Sequence, residues 1–347
     1  MKLWIKKIKY LFTGYFALVM ATGALSIASH LLGFTRVSMG LLYINTVFII
    51  ILAALVLSRV LFFFPNVKKD ITSHLQGPGF FTLVAGTNVY GSQLVIILGE
   101  YSIALKLWLI AIILWIVIMY VFFTAVTIRK SKPDLVEGIN GAWLIAAVAT
   151  QSISVLGTLI ASHLTDNSTM EFIFFIAISM YLLGGMLYLS IITLIFYRFT
   201  FLHFEHAALT PPYWINMGAV AITTLAGSMI IMHGADTLLI EQFIPFIKGF
   251  TLFFWVTGTW WIPLLVILMC WRYIVHRFPI NYDQQMWGMV FPLSMYTTAT
   301  YQLSHSLHIA FLEKISQVFI IPAAITWVLG IVLLFVHLMS DIFKVIK

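Results

Sequence analysis

The chain is an almost continuous series of apolar runs, and the runs come in five similar pairs. An aromatic residue followed by small and hydroxyl-bearing residues opens each pair, at Tyr15-Phe16, Phe80-Phe81, Trp143, Trp214 and Trp287. Successive openings are 65, 62, 71 and 73 residues apart, so each interval has room for two membrane crossings. A helix needs about 20 apolar residues to cross a hydrocarbon core of roughly 30 Å, whereas barrel strands alternate over about ten. The runs fall near 11–32, 38–63, 78–98, 103–128, 139–162, 171–197, 212–233, 242–271, 285–307 and 316–338. This spacing predicts an all-α membrane protein. Its ten transmembrane helices would form five tandem helical hairpins in a quasi-fivefold ring, with the odd-numbered helices inside, lining a pore.

Composition agrees with that class. With 62% hydrophobic and 9% charged residues, the chain lacks the charged surface of a water-soluble globule. Connections between runs are short, which predicts a single integral membrane domain over 1–347 with no separate soluble part. The first run follows four lysines, like a signal peptide, but it is too long and ends in no small-residue cleavage pattern. It is therefore read as a retained helix. Cys270 is the only cysteine, so neither an internal disulfide nor a cysteine-bound metal is expected.

Fifteen of the 19 lysines and arginines lie at the termini or in the even-to-odd connections, and the acidic residues split evenly between the two faces. Both termini are therefore expected to be cytoplasmic, in a multi-pass protein of the cell (plasma or inner) membrane. The same bias explains the net charge of +7 without nucleic acid, for which no basic and aromatic stripe exists outside the runs.

Even-numbered runs are rich in bulky aliphatics, such as 48–52 and 110–115, and suit a lipid-facing surface. The odd runs carry polar residues through their middle, with Thr22 and Ser26 in the first, Thr87 and Asn88 in the third, and Thr150 and Gln151 in the fifth. Thr223 and Thr224 follow in the seventh, and Ser294 and Thr298 in the ninth. Polar groups in hydrocarbon are costly unless paired or facing water. Two explanations compete: close helix packing with hydroxyls bonded to backbone carbonyls, or a pore lining. Recurrence of the band in all five units favours the pore. No Asp, Glu, Lys or Arg falls inside an odd run, and a neutral, donor-lined path suits weakly held anions better than cations or protons. Lys68, Lys69, Arg129, Lys130, Lys132 and Arg277 form a basic cytoplasmic mouth that either concentrates anions or simply fixes topology.

Two stretches carry a family resemblance. Residues 12–26, FTGYFALVMATGALS, and 287–295, WGMVFPLSM, resemble corresponding segments of the tellurite-resistance/dicarboxylate transporter family. That family includes bacterial TehA-like proteins and plant guard-cell slow anion channels. The resemblance implies a homotrimer, each protomer with its own pore lined by the five odd helices and closed by a phenylalanine on the ninth. Here that residue matches Phe291, followed by Pro292. Proline removes one backbone hydrogen bond and kinks a helix, which can aim the preceding ring at the axis. Sliding the five inner segments together places Leu18, Val84, Ile145 and Ala219 level with Phe291 as a constriction. Relatives tend to carry prolines in several inner helices. Here only the ninth has one, although Gly23, Gly86 and Gly218 would permit bending.

His30, His163, His233 and His305 sit near the outer ends of inner helices, either as interfacial residues or as an outer vestibule that gains charge below about pH 6.5. None is placed to hold haem at mid-membrane, and no cofactor is expected. The function expected is channel-like passage of small anions: chloride, nitrate, sulfite, tellurite-related oxyanions or C4-dicarboxylates. A proton-coupled carrier of malate-like dicarboxylates is the alternative, although no inner arginine offers a carboxylate fork. A membrane-embedded enzyme would need a carboxylate pair or a nucleophile with its base, and neither is evident.

Overall fold

A computed structural model describes residues 2–234 and 238–346, and the side chains of 2–4, 235–239 and 341–347 lie outside the description. Lys2, Lys344 and Lys347, counted above for orientation, fall in those segments. Every regular element among the described residues is helical. Ten long helices make up the body: α1 Ala17–Leu31, α2 Thr35–Phe62, α3 Phe81–Leu98, α4 Tyr101–Ile128, α5 Ile145–Ala161, α6 Asn167–Phe201, α7 Ile215–His233, α8 Ile244–Cys270, α9 Trp287–Ser306 and α10 Phe311–Ile346.

Eight of these, taken with their short lead-ins, are long and apolar enough to cross a membrane. The other two are α1 and α9. At 15 residues α1 spans roughly 22 Å, short of a hydrocarbon core. The interior of α9 carries Ser294, Thr297, Thr298, Thr300 and Gln302, which dilute its apolar character. Both occupy the same structural position as the inner helices that do qualify.

The inner helices contact one another in a closed sequence, α1 on α3, α3 on α5, α5 on α7, α7 on α9 and α9 back on α1. Their small and hydroxyl residues permit close approach, and α5 and α7 are buried along essentially their whole length. Each even helix packs on the odd helix before it. Its opposite face exposes side chains such as Ile50, Ile51, Ile110, Ile113, Phe253 and Val256, the surface expected to meet lipid tails. The turn from α3 to α4 is tight. Gly99, just after α3, has φ +70°, a left-handed conformation that glycine adopts without a Cβ penalty.

Each even helix also reaches the odd helix of the next pair by a hydrogen bond. Asn45 on α2 donates to Gln93 on α3 (2.8 Å), the Trp115 indole on α4 to Thr150 on α5 (2.8 Å), and Tyr188 on α6 to the Asn216 carbonyl on α7 (3.2 Å). On the far side Trp255 of α8 donates to Thr300 of α9 (2.9 Å), and Trp327 of α10 donates to Thr22 of α1 (3.0 Å). Every pair is thereby fastened to its successor, the last to the first.

Candidate functional site

All five odd-numbered helices begin at one end of the bundle. The lead-ins are Gly77–Phe80, Gly141–Leu144, Pro211–Trp214 and Gln284–Met286, each a 3-10 turn, and the turn through Gly14 before α1. They meet main chain to main chain. A Cβ on Gly141 would collide with the Pro212 carbonyl group and the Tyr213 Cα, and one on Gly79 with Thr13 and the Gly14 nitrogen. Inside this collar lies a cavity of about 300 Å³. Its walls come from every pair, including Ala17 and Met20, Thr82, Ile145 and Val148, Ile215, and Gly288 with Phe291. Lead-in carbonyls take up first-turn amides, as Gly14 does for Ala17 and Tyr15 for Leu18, so what the five starts bring to one space is the partial positive charge of their macrodipoles.

Phe291 lines this vestibule yet is only 2% exposed. The helix runs on through Pro292, which has no amide to give the Gly288 carbonyl. Pro292 is seated against Gly218 of α7, where an added Cβ would lie 2.6 Å from the Pro292 Cγ and 2.9 Å from its Cβ. Glycines that the sequence suggests as hinges thus make room for neighbours, since Gly23 and Gly86 face Val89 and Phe16 in the same way. Gly218→Ala is expected to cost about 1–3 kcal/mol, as overpacking does, and thermal unfolding in detergent measures it.

Of the constriction residues expected from the sequence, Ile145 and Phe291 line the vestibule. Val84 and Ala219 are fully buried and do not line it. Leu18 lines a separate apolar groove with Tyr15, Phe48 and Leu334, while Ala17 and Met20 take the inward place on α1. The five residues matched by register therefore do not assemble at the vestibule. Each residue turns a helix by about 100°, so an alignment one residue off changes the face presented. The lead-ins differ in length, four residues at Gly141–Leu144 against three at Gln284–Met286.

The polar band behaves largely as packing. Thr22 and Thr150 accept from outer-helix indoles, Ser26 donates to the Ser38 carbonyl, and Gln151 to the Tyr181 carbonyl. Thr87, Thr223, Thr224, Ser294 and Thr298 donate to carbonyls one turn back. Asn88 reaches Ser152 between α3 and α5 at 3.0 Å. None of the ten lines the vestibule.

The four histidines lie at the other ends of the inner helices. His163 stacks on Tyr101 at 3.7 Å, and the His305 Nδ1 lies 3.0 Å from both the Ser304 hydroxyl and the Tyr301 carbonyl oxygen. His30 and His233 are half-buried in the last turns of α1 and α7. At the vestibule end, His74 has its pKa lowered from the usual histidine value by its partial burial and then by the charges of Arg129 and Lys132. None of the six basic mouth residues lines the cavity itself.

The cation that does line it is Arg198, which the sequence presents only as a topology determinant. It ends α6, is buried, and donates to the Ile139 carbonyl and the Tyr213 hydroxyl. A signal existed in the repeat, because Arg59, Arg129, Arg198 and Arg272 each end an even helix or follow it directly.

Residues 10–335 match the model of the voltage-dependent anion channel family. The chain belongs to that family. Among relatives of this anion channel family member, two uncharacterized transporters of Methanocaldococcus jannaschii are each 26% identical over 301 residues. The alignments cover 85% of this chain and 84% and 85% of theirs. An uncharacterized membrane protein of Mycobacterium tuberculosis is 36% identical over 157 residues, 45% of this chain and 79% of its own. Membership in the voltage-dependent anion channel family bears out the resemblance carried by residues 12–26 and 287–295. It also makes the chain a multi-pass membrane protein of a transport family, with anions as the substrates the family implies.

Proposed function

We propose that the protein passes small anions along the axis of the inner ring, with Phe291 as the gate and Pro292 setting its position. The observation that carries this reading is the vestibule itself: a cavity built from the starts of all five inner helices has Phe291 in its wall. Beyond it the inner helices contain no Asp, Glu, Lys or Arg, so an anion moving on meets only neutral groups. In this reading α1 and α9 cross the membrane with the other eight helices, giving five hairpins. The vestibule and both termini face the cytoplasm, following the excess of lysine and arginine on that side. The constriction is formed by Phe291 with Ile145, Met20 and Val148. A homotrimer with one pore per protomer, as the family resemblance implies, completes the proposal, and no cofactor is invoked.

Reconstitution into liposomes with a panel of chloride, nitrate, sulfite and malate tests it. Chloride or nitrate flux driven by membrane potential, with no need for a pH gradient, is the expected result. Malate uptake that requires a proton gradient, with no potential-driven halide or nitrate flux, would replace this reading with a carrier.

A further inference from the structure

Arg198 is a buried cation without a counter-ion. It is 6% exposed, and its Nε has no hydrogen-bond partner. Among the described residues no carboxylate pairs with it, whereas the similarly buried Arg59 is neutralised by Asp70. An uncompensated charge held out of water is costly, so the fold gains if something anionic sits beside it. The surroundings supply the space. Among the described residues, Arg198 is the only lysine or arginine in the wall of the vestibule. The first turns of five helices face the same cavity, and helix starts attract anions. Asn140 accepts the Ala142 amide with its carbonyl oxygen and keeps its NH₂ group for another acceptor. Among the described residues, Glu137 is the only acidic one in the wall, and it is exposed.

We infer that the vestibule is an anion-binding site holding one small, singly charged inorganic anion, with Arg198 as its counter-ion. One guanidinium balances one charge, and Glu137 works against a dianion. The inference rests on the anion-passage reading and adds where the ion waits before it reaches Phe291. Arg272 provides an internal control. It lies just past the end of α8 and is just as buried, but the Phe278 ring covers its guanidinium at 3.9 Å, closer than Phe204 and Tyr213 lie to that of Arg198 (5.3 and 5.9 Å), and it does not line the cavity.

The test is a chloride titration of the detergent-solubilised full chain, followed by chloride NMR line broadening with nitrate as competitor. Wild type should show saturable broadening that nitrate reverses. Arg198→Gln should weaken binding by about tenfold or more, the loss of a charge-assisted contact, and Arg198→Lys by less, because it keeps the charge without the fork. Arg272→Gln should bind as wild type does. Unchanged binding in Arg198→Gln overturns the site, as does equal weakening in Arg272→Gln. Gel filtration confirms the fold of each variant, and Arg198→Lys carries the test if Arg198→Gln fails to fold. Liposome flux separates this inference from the reading beneath it. Flux with Arg198-independent binding removes the site alone, whereas Arg198-dependent binding without flux removes the passage alone.

Discussion

Phe291→Ala should raise anion flux through reconstituted protein by about tenfold to a hundredfold, the effect of lowering a barrier by ~1.4 to ~2.8 kcal/mol. The ring lines the vestibule and is nearly excluded from water, and in the proposed reading it is an apolar plug. A hydrated ion meeting such a plug is stopped both by its bulk and by the cost of dewetting. Truncation to alanine removes the bulk and leaves an opening continuous with the cavity. Phe291→Leu keeps much of the apolar volume and should fall between the two. Truncating a buried phenylalanine also costs stability, up to about 3–5 kcal/mol in a closed core. Because Phe291 borders an existing cavity, the cost should lie at or below the lower end, and thermal unfolding in detergent measures it. Flux unchanged in a folded Phe291→Ala protein would remove Phe291 from the gate.

Gly141→Ala should have the largest effect on stability. The added Cβ would overlap the Pro212 carbonyl oxygen and carbon and the Tyr213 Cα, all of them main chain. No side-chain rotation relieves such a clash, so two lead-ins must separate. The expected loss is about 3 kcal/mol, the upper range for overpacking, read as a fall in thermal midpoint or loss of folded protein on extraction. Gly40→Ala is the matching control. It lies inside α2 with nothing within 4 Å of its new methyl group, and alanine there gains helix propensity of about 1 kcal/mol. If both substitutions behaved alike, the collar would not be the tight element described.

The sequence made the helices legible because hydrocarbon imposes a length and a composition that can be counted. The fourth run, expected at 103–128, is the helix Tyr101–Ile128, and the fifth, expected at 139–162, is Ile145–Ala161 preceded by its lead-in. Helix faces were not legible. Thr22 and Thr150 sit where a pore lining would sit in a linear alignment, but each points outward to an indole more than 30 residues away. Leu18 lies on the groove side of α1 for a related reason, since a linear alignment carries no face and each residue turns a helix by about 100°. Arg198 was visible as a residue but not as a site. Its inward turn depends on Ile139, 59 residues earlier, and on Tyr213, 15 residues later, and neither is marked in the sequence as its partner.

The bond from Trp327 to Thr22 joins residues 305 apart and has a consequence for biogenesis. Of the ten helices α1 leaves the ribosome first, yet its neighbours on one side, α9 and α10, are the last two of the ten. For almost the whole of synthesis this short segment has one flank without protein. The other junctions can form as the chain lengthens, but this one waits for the final hairpin. The newborn protein therefore has a seam, and a chaperone or insertase acting on it would be needed longest at the first helix.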